Sequence, residues 1–157
     1  MLVHPSRETT GHSQYYEWVT QIVDSWRRLF DLNDGDPDKT DLYNTFAETY
    51  KLLETTVSDP VPFEELQTQL RRALRQTRIV EMNAAKGQTP NIDWSSAYPH
   101  ILVGGQAMDR GFTVEGLTVT YMPRGMGVGN ADTIQQRARF FGYKLGYAGY
   151  CRVYLDS

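Results

Sequence analysis

The sequence predicts an α/β domain built on a mostly parallel five-stranded sheet flanked by helices. Three observations lead there. Short apolar runs are separated by helical-period segments or long crossovers, as "LV", "RIVEM", "HILVG", "LTVTYM" and "CRVYL" show. These runs are apolar almost throughout, the pattern of strands buried on both faces of a parallel sheet rather than on one. Glycine-bearing loops, "GGQAMDRGF" and "PRGMGVGN", follow two of them, at the strand ends where open α/β sheets hold ligands.

The elements follow in order. Leu2 and Val3 open a strand that Pro5-Ser6 stops. From Ser13, a candidate N-cap, the residues Tyr15, Val19, Ile22, Val23, Trp26 and Phe30 trace one helical face. "NDGDPDKT" is a turn cluster. A second helix carries Leu42, Phe46, Tyr50 and Leu53 on one stripe, "SDPVP" breaks it, and Phe63, Leu66, Leu70 and Leu74 mark a third. Strand "RIVEM", a polar loop to Pro99, and strands "HILVG" and "LTVTYM" come next. A helix from about Asn130 to Leu145 then leads to strand "CRVYL".

Composition bounds the function. The 157 residues make one domain with room for a core. A net charge of −3 excludes a domain that binds polyanions over its whole surface, so any nucleic-acid surface is a local patch. The single cysteine, Cys151, excludes an internal disulfide and suits a reducing compartment. No apolar run approaches the roughly 20 residues that cross a bilayer, and no basic-then-apolar leader opens the chain. A cytoplasmic location without membrane partners is expected. Both ends fall beside apolar strands rather than in polar tails, so the expectation is a piece of a larger protein.

Two constellations could carry chemistry. On the last helix Ile134, Ala138, Phe141 and Leu145 form the apolar stripe, and Gln135, Arg139 and Gly142 repeat its spacing one residue on. An arginine held on a helix one turn from a glutamine can present a fixed cation to phosphate; a solvated charged face has the same spacing. Asn130 or Asp132 can cap this helix. In "ILVGGQAMDRG", Gly104 and Gly105 let backbone amides approach a ligand, although a tight strand-to-helix turn also explains them. Arg71, Arg72, Arg75 and Arg78 form a basic cluster on the third helix and just after it, read as a solvated face ahead of a nucleic-acid contact. His4, His12 and His100 have no zinc-ligand spacing and read as structural or solvated, and Cys151 as a small core residue. No G-x-x-x-x-G-K-[ST] loop or clustered carboxylate–lysine set is present. No metal ligands are expected, and no nuclease centre.

"HILVGGQAMDRGFTVEGLTVTYM" resembles motif V of superfamily-two helicases, with Gly105 at the threonine position and Thr113 at the acidic one. "QQRARFFG" resembles motif VI, Q-x-x-G-R-x-x-R: Gln135 and Arg139 match, Ala138 stands for the glycine and Gly142 for the second arginine. "MLVHPSR" corresponds to the motif IV strand. "GGQAMDRGFT-EGLTV-YMPR" and "QQRARFFGY" most closely resemble the Z-one domain, a family of helicase-like proteins labelled endonucleases. These are encoded beside DNA methylases and MORC-type ATPases in bacterial restriction-like defence clusters.

The resemblance implies a three-layer RecA-like fold over residues 1–157, the second lobe of a helicase-type motor, with a helical insertion around 34–62. It implies Arg139 as the arginine finger, with Gln135 supporting it and Arg137 able to exchange roles with Arg139. Gly105, Arg110, Gly111 and Thr113 would contact nucleotide, and Arg7, Lys86 and Arg124 nucleic acid. ATP and Mg2+ would bind only in the full-length protein, between this lobe and an N-terminal RecA-like lobe of the same chain. The implied partners are DNA, methylases and MORC-type ATPases. The parent would be an ATP-dependent translocase, with the isolated piece inactive. The alternative is a degenerate RecA-like scaffold that binds proteins without ATP turnover, which Gly142 favours.

Overall fold

The computed structural model describes residues 1–5, 9–82, 92–104, 116–123 and 146–155. Five strands form one sheet: β1 (Leu2–Val3), β2 (Arg78–Met82), β3 (His100–Gly104), β4 (Val119–Met122) and β5 (Arg152–Leu155). Their order is β2-β3-β1-β4-β5, and every pairing is parallel. Helices α1 (Thr9–Phe30), α2 (Pro37–Glu54) and α3 (Phe63–Gln76) fill the connection from β1 to β2. The α/β class and the five-stranded parallel sheet are therefore as the apolar runs require.

Register sorts the side chains. Glu81, Val103, Val3 and Tyr121 lie side by side across four strands and face α1, because Ser13 Oγ donates to Glu81 Oε1 at 2.7 Å. Val80, Leu102, Leu2 and Thr120 share the opposite face. There Leu2, Met82, Ile92, Leu102 and Leu117 form the main apolar cluster. Val3 and Val103 on one face, and Leu2, Leu102 and Thr120 on the other, are all at most 1 % exposed. Both faces are covered, the requirement of a three-layer arrangement. At about 25 cal/mol per Å² of apolar area, each of these valines and leucines contributes roughly 1.5–3 kcal/mol.

The helices are fixed by local chemistry and by aromatic packing. Asp36 caps α2, its carboxylate accepting from the amides of Asp38 and Lys39 at 3.0 and 3.4 Å, with Pro37 in the first turn. The helix thus begins inside the turn cluster "NDGDPDKT", whose last four residues, from Pro37, form its first turn. Phe30 meets Tyr43 and Phe46 at ring distances of 5.0 and 5.9 Å, and Trp26 meets Phe46 at 5.3 Å. Arg27 closes α3 from outside: its Nε and Nη2 donate to the carbonyls of Leu74 and Thr77 at 2.9 and 2.7 Å, supplying partners to the open end of that helix.

Three expectations need correction. Ser13 lies one turn inside α1 rather than at its N-cap, because its hydroxyl serves the tertiary bond to Glu81. Ile22 is exposed while Val23 and Phe30 are buried, so the buried stripe is narrower than the apolar spacing suggests. Cys151 precedes β5 rather than lying within it and is half-buried, with Sγ near the carbonyls of Tyr147 and Leu117.

A clasp joins α2 to β5. The 3-10 turn Ala148–Tyr150 brings Gly149 against the end of α2, where Thr56 Oγ1 donates to the Gly149 carbonyl at 2.7 Å. Arg152 donates to the carbonyls of Gly149, Cys151 and Leu52 at 2.8, 2.8 and 3.0 Å, and also bonds Thr56 Oγ1.

Candidate functional site at the carboxyl edge of the sheet

In an all-parallel sheet every strand ends at the same edge. Here the chain leaves central β1 towards β2 on one side, whereas from β3 it crosses β1 to reach β4 and then β5 on the other. β1 is therefore the strand at which the winding reverses, and such reversals open a crevice at the carboxyl ends. His4, the first residue after β1, is buried in this position, and its amide donates to the Tyr121 carbonyl at 2.8 Å. Val3, Gly104 and Met122, the last residues of β1, β3 and β4, end together at this edge. The Ser13–Glu81 hydrogen bond fastens the first turns of α1 to the end of β2 at the same edge.

The residues singled out from the sequence follow these strand ends in the chain. Arg7 comes four residues after β1, Lys86 four after β2, Gly105 directly after β3 and Arg124 two after β4. Arg7, Lys86, Gly105, Arg110, Gly111, Thr113, Arg124, Gln135, Arg137 and Arg139 all lie outside the described residues, as does the helix expected from Asn130 to Leu145. What the structure supplies is the frame: β3, β1 and β4 are adjacent, so the chain segments that begin after them start side by side.

The remaining candidates are placed directly. Arg71 Nε and Arg75 Nη2 both donate to Asp31 at 2.8 Å, and these bonds, Arg75 first, hold the Asp31 carboxyl below the usual carboxylate range. Half of the basic cluster is thus an intramolecular clamp between α3 and the end of α1. Arg72 and Arg78 are exposed and make no ion pair among the described residues. His4 and His12 are buried, and His100 packs its ring against Trp94, in keeping with structural roles. Asp93 accepts from the Ser95 hydroxyl and amide, which lowers its pKa. Among the described residues no three His, Cys, Asp or Glu side chains gather closely enough to hold a metal ion, and no described helix is long and apolar enough to cross a membrane.

No curated protein and no solved structure matches the chain. One family model does, that of the Z1 domain, and it spans residues 1–157. It is the family that the strings "GGQAMDRGFT" and "QQRARFFGY" resemble, and the match extends over every strand and helix described above. The chain belongs to the Z1 domain family.

Proposed function

We propose that this domain is the second RecA-like lobe of a nucleic-acid-dependent ATPase motor, with its ligand edge at the carboxyl ends of β1, β3 and β4. The observation that carries the reading is the topology: an all-parallel sheet whose winding reverses at β1. The segments matching motifs V and VI leave the sheet after β3 and β4, the strands on either side of β1. The described residues of this edge include no lysine or arginine, so every cation in the reading comes from the segments that follow the strands.

In this reading ATP and Mg2+ bind between this lobe and an N-terminal lobe of a longer chain, ATP providing the γ-phosphoryl group and Mg2+ its counter-charge. Arg139 stabilises charge on the transferring group, with Gln135 or Arg137 supporting it. Gly105, Arg110, Gly111 and Thr113 link the nucleotide to a track on which Arg7, Lys86 and Arg124 meet phosphates, giving binding that depends on salt rather than on sequence. The setting is a DNA restriction or defence system in the cytoplasm, with methylases and MORC-type ATPases as neighbours.

The test of the track is DNA binding by residues 1–157 across a salt series. Each of Arg7→Ala, Lys86→Ala and Arg124→Ala should lower the slope of log affinity against log salt by about 0.7 on single strands. Slopes equal to the parent chain's in all three variants would remove the track from this edge.

A further inference from the structure

The opposite, amino-terminal edge of the sheet carries a group of residues that the motor reading does not use. Tyr98 is 99 % exposed and Trp94 is 47 % exposed, although both rings are large and apolar. Trp94 is held in place, its ring edge-on to His100 at 5.2 Å and 63°. Arg78 stands beside His100 in the β2–β3 ladder, and its amide donates to the Pro99 carbonyl at 3.0 Å, next to Tyr98. Ala73 and Thr77 of the α3 end line the same cavity of about 480 Å³ as Trp94 and Tyr98. This cavity shares Tyr98 with a second of about 690 Å³ that runs towards Tyr147, Tyr150 and Tyr154.

The charges choose the partner. Arg71 and Arg75 are occupied by Asp31, whereas Arg78, in register with the His100 on which Trp94 packs, makes no ion pair among the described residues. Asp93, the nearby acid, stays charged while accepting from the Ser95 hydroxyl and amide. An apolar peptide would gain from the rings but not from Arg78. Single-stranded nucleic acid uses both, stacking bases on aromatic faces and setting phosphates against arginines. A fully exposed tyrosine ring contributes nothing to the fold by packing; a stacked base gives it a partner.

We infer that Trp94 and Tyr98, beside Arg78, form a stacking surface for single-stranded nucleic acid at the amino edge of the sheet. It lies at the other end of the strands from the proposed motor track and does not depend on it.

The experiment is a fluorescence titration of residues 1–157 with an oligothymidylate, following tryptophan emission, with a labelled strand for affinity. Binding should quench the emission, and the quench should be lost in Trp94→Ala while Trp18 and Trp26 remain. Trp94→Ala and Tyr98→Ala should each weaken binding by roughly 5- to 100-fold, the range for one stacked base. Arg78→Ala should lower the salt slope by about 0.7, and Arg71→Ala should leave it unchanged. Tyr98→Ala removes a ring wholly in water, so its effect cannot be a folding defect. The inference is overturned if the oligonucleotide does not bind, or if Tyr98→Ala and Trp94→Ala bind as the parent chain does. Loss confined to Arg7→Ala and Arg124→Ala would overturn it while upholding the carboxyl-edge track. Retention in those variants together with loss in Tyr98→Ala would uphold it and count against the track.

Discussion

Gly149→Ala tests the clasp that joins α2 to β5. A Cβ at this position would stand 2.5 Å from the Thr56 carbonyl oxygen, 3.2 Å from its carbon and 3.3 Å from Val57 Cα. All three are backbone atoms, so no side chain can swing aside. Ordinary contact begins at 3.4 Å, so the two segments must part by about 0.9 Å. That displacement stretches the Thr56 Oγ1 bond to the Gly149 carbonyl and the Arg152 bond to the Leu52 carbonyl, now 2.7 and 3.0 Å. A neutral bond contributes about 1 kcal/mol and one from a charged donor about 1.5–3 kcal/mol. Partial exposure lets water replace some of this, so the expected loss is about 2–3 kcal/mol. For a domain of this size that lowers Tm by roughly 5–10 °C. Urea denaturation of both proteins, followed by circular dichroism, measures the loss as a shift of midpoint at unchanged slope. Thr56→Val, which removes one hydroxyl and no space, should lose about 1 kcal/mol. A Gly149→Ala midpoint equal to the parent's would show that the turn does not press on α2 as described.

Three further outcomes are expected. Thr120 Oγ1 is buried without a hydrogen-bond partner in the apolar centre of β4, so Thr120→Val should raise stability by about 1 kcal/mol in the same denaturation assay, and a loss of that size would show that the hydroxyl is satisfied. The Asp31 carboxyl is held below its ordinary range by Arg75 and Arg71; the resulting stability is present above the unfolded carboxylate pKa, about 3.9, and lost as pH falls through the lower folded value. Asp31→Asn should therefore flatten the stability profile in that acid window and nowhere else, and a parallel profile would place the acid sensitivity elsewhere. Residues 1–157 alone should neither turn over ATP nor nick plasmid with magnesium or manganese; cleavage that survives purification and vanishes in Glu81→Gln or Asp93→Asn would reveal a nuclease centre.

The fold was legible where local chemistry and burial agree. β2 and β3 match the runs "RIVEM" and "HILVG" to the residue, because each has an apolar centre and meets its parallel neighbour along its whole length. α2 was legible from its stripe, and Asp36-Pro37 fixes its start. What escaped depends on residues far apart in the chain. Ser13 looks like an N-cap until Glu81, 68 residues away, takes its hydroxyl. Four arginines in or just after one helix look alike until Asp31 claims two of them. Trp94 and Tyr98 sit in a stretch that reads as a polar loop, and only the β2–β3 register sets them beside Arg78 and His100. The carboxyl edge was legible as a location, since parallel strands must end together, while the chemistry of its arginines rests on the motif resemblance.

The most direct test of the motor reading is steady-state ATP turnover by a longer Z1 protein that contains both lobes, with and without Arg139→Ala. A contact made only in the transition state predicts a kcat lower by on the order of 10³-fold, with nucleotide affinity little changed. Arg139→Lys should recover little, because a point charge does not replace the planar guanidinium fork. Full turnover by Arg139→Ala in a protein that hydrolyses ATP would contradict the assignment and leave the motif VI match a likeness of sequence alone.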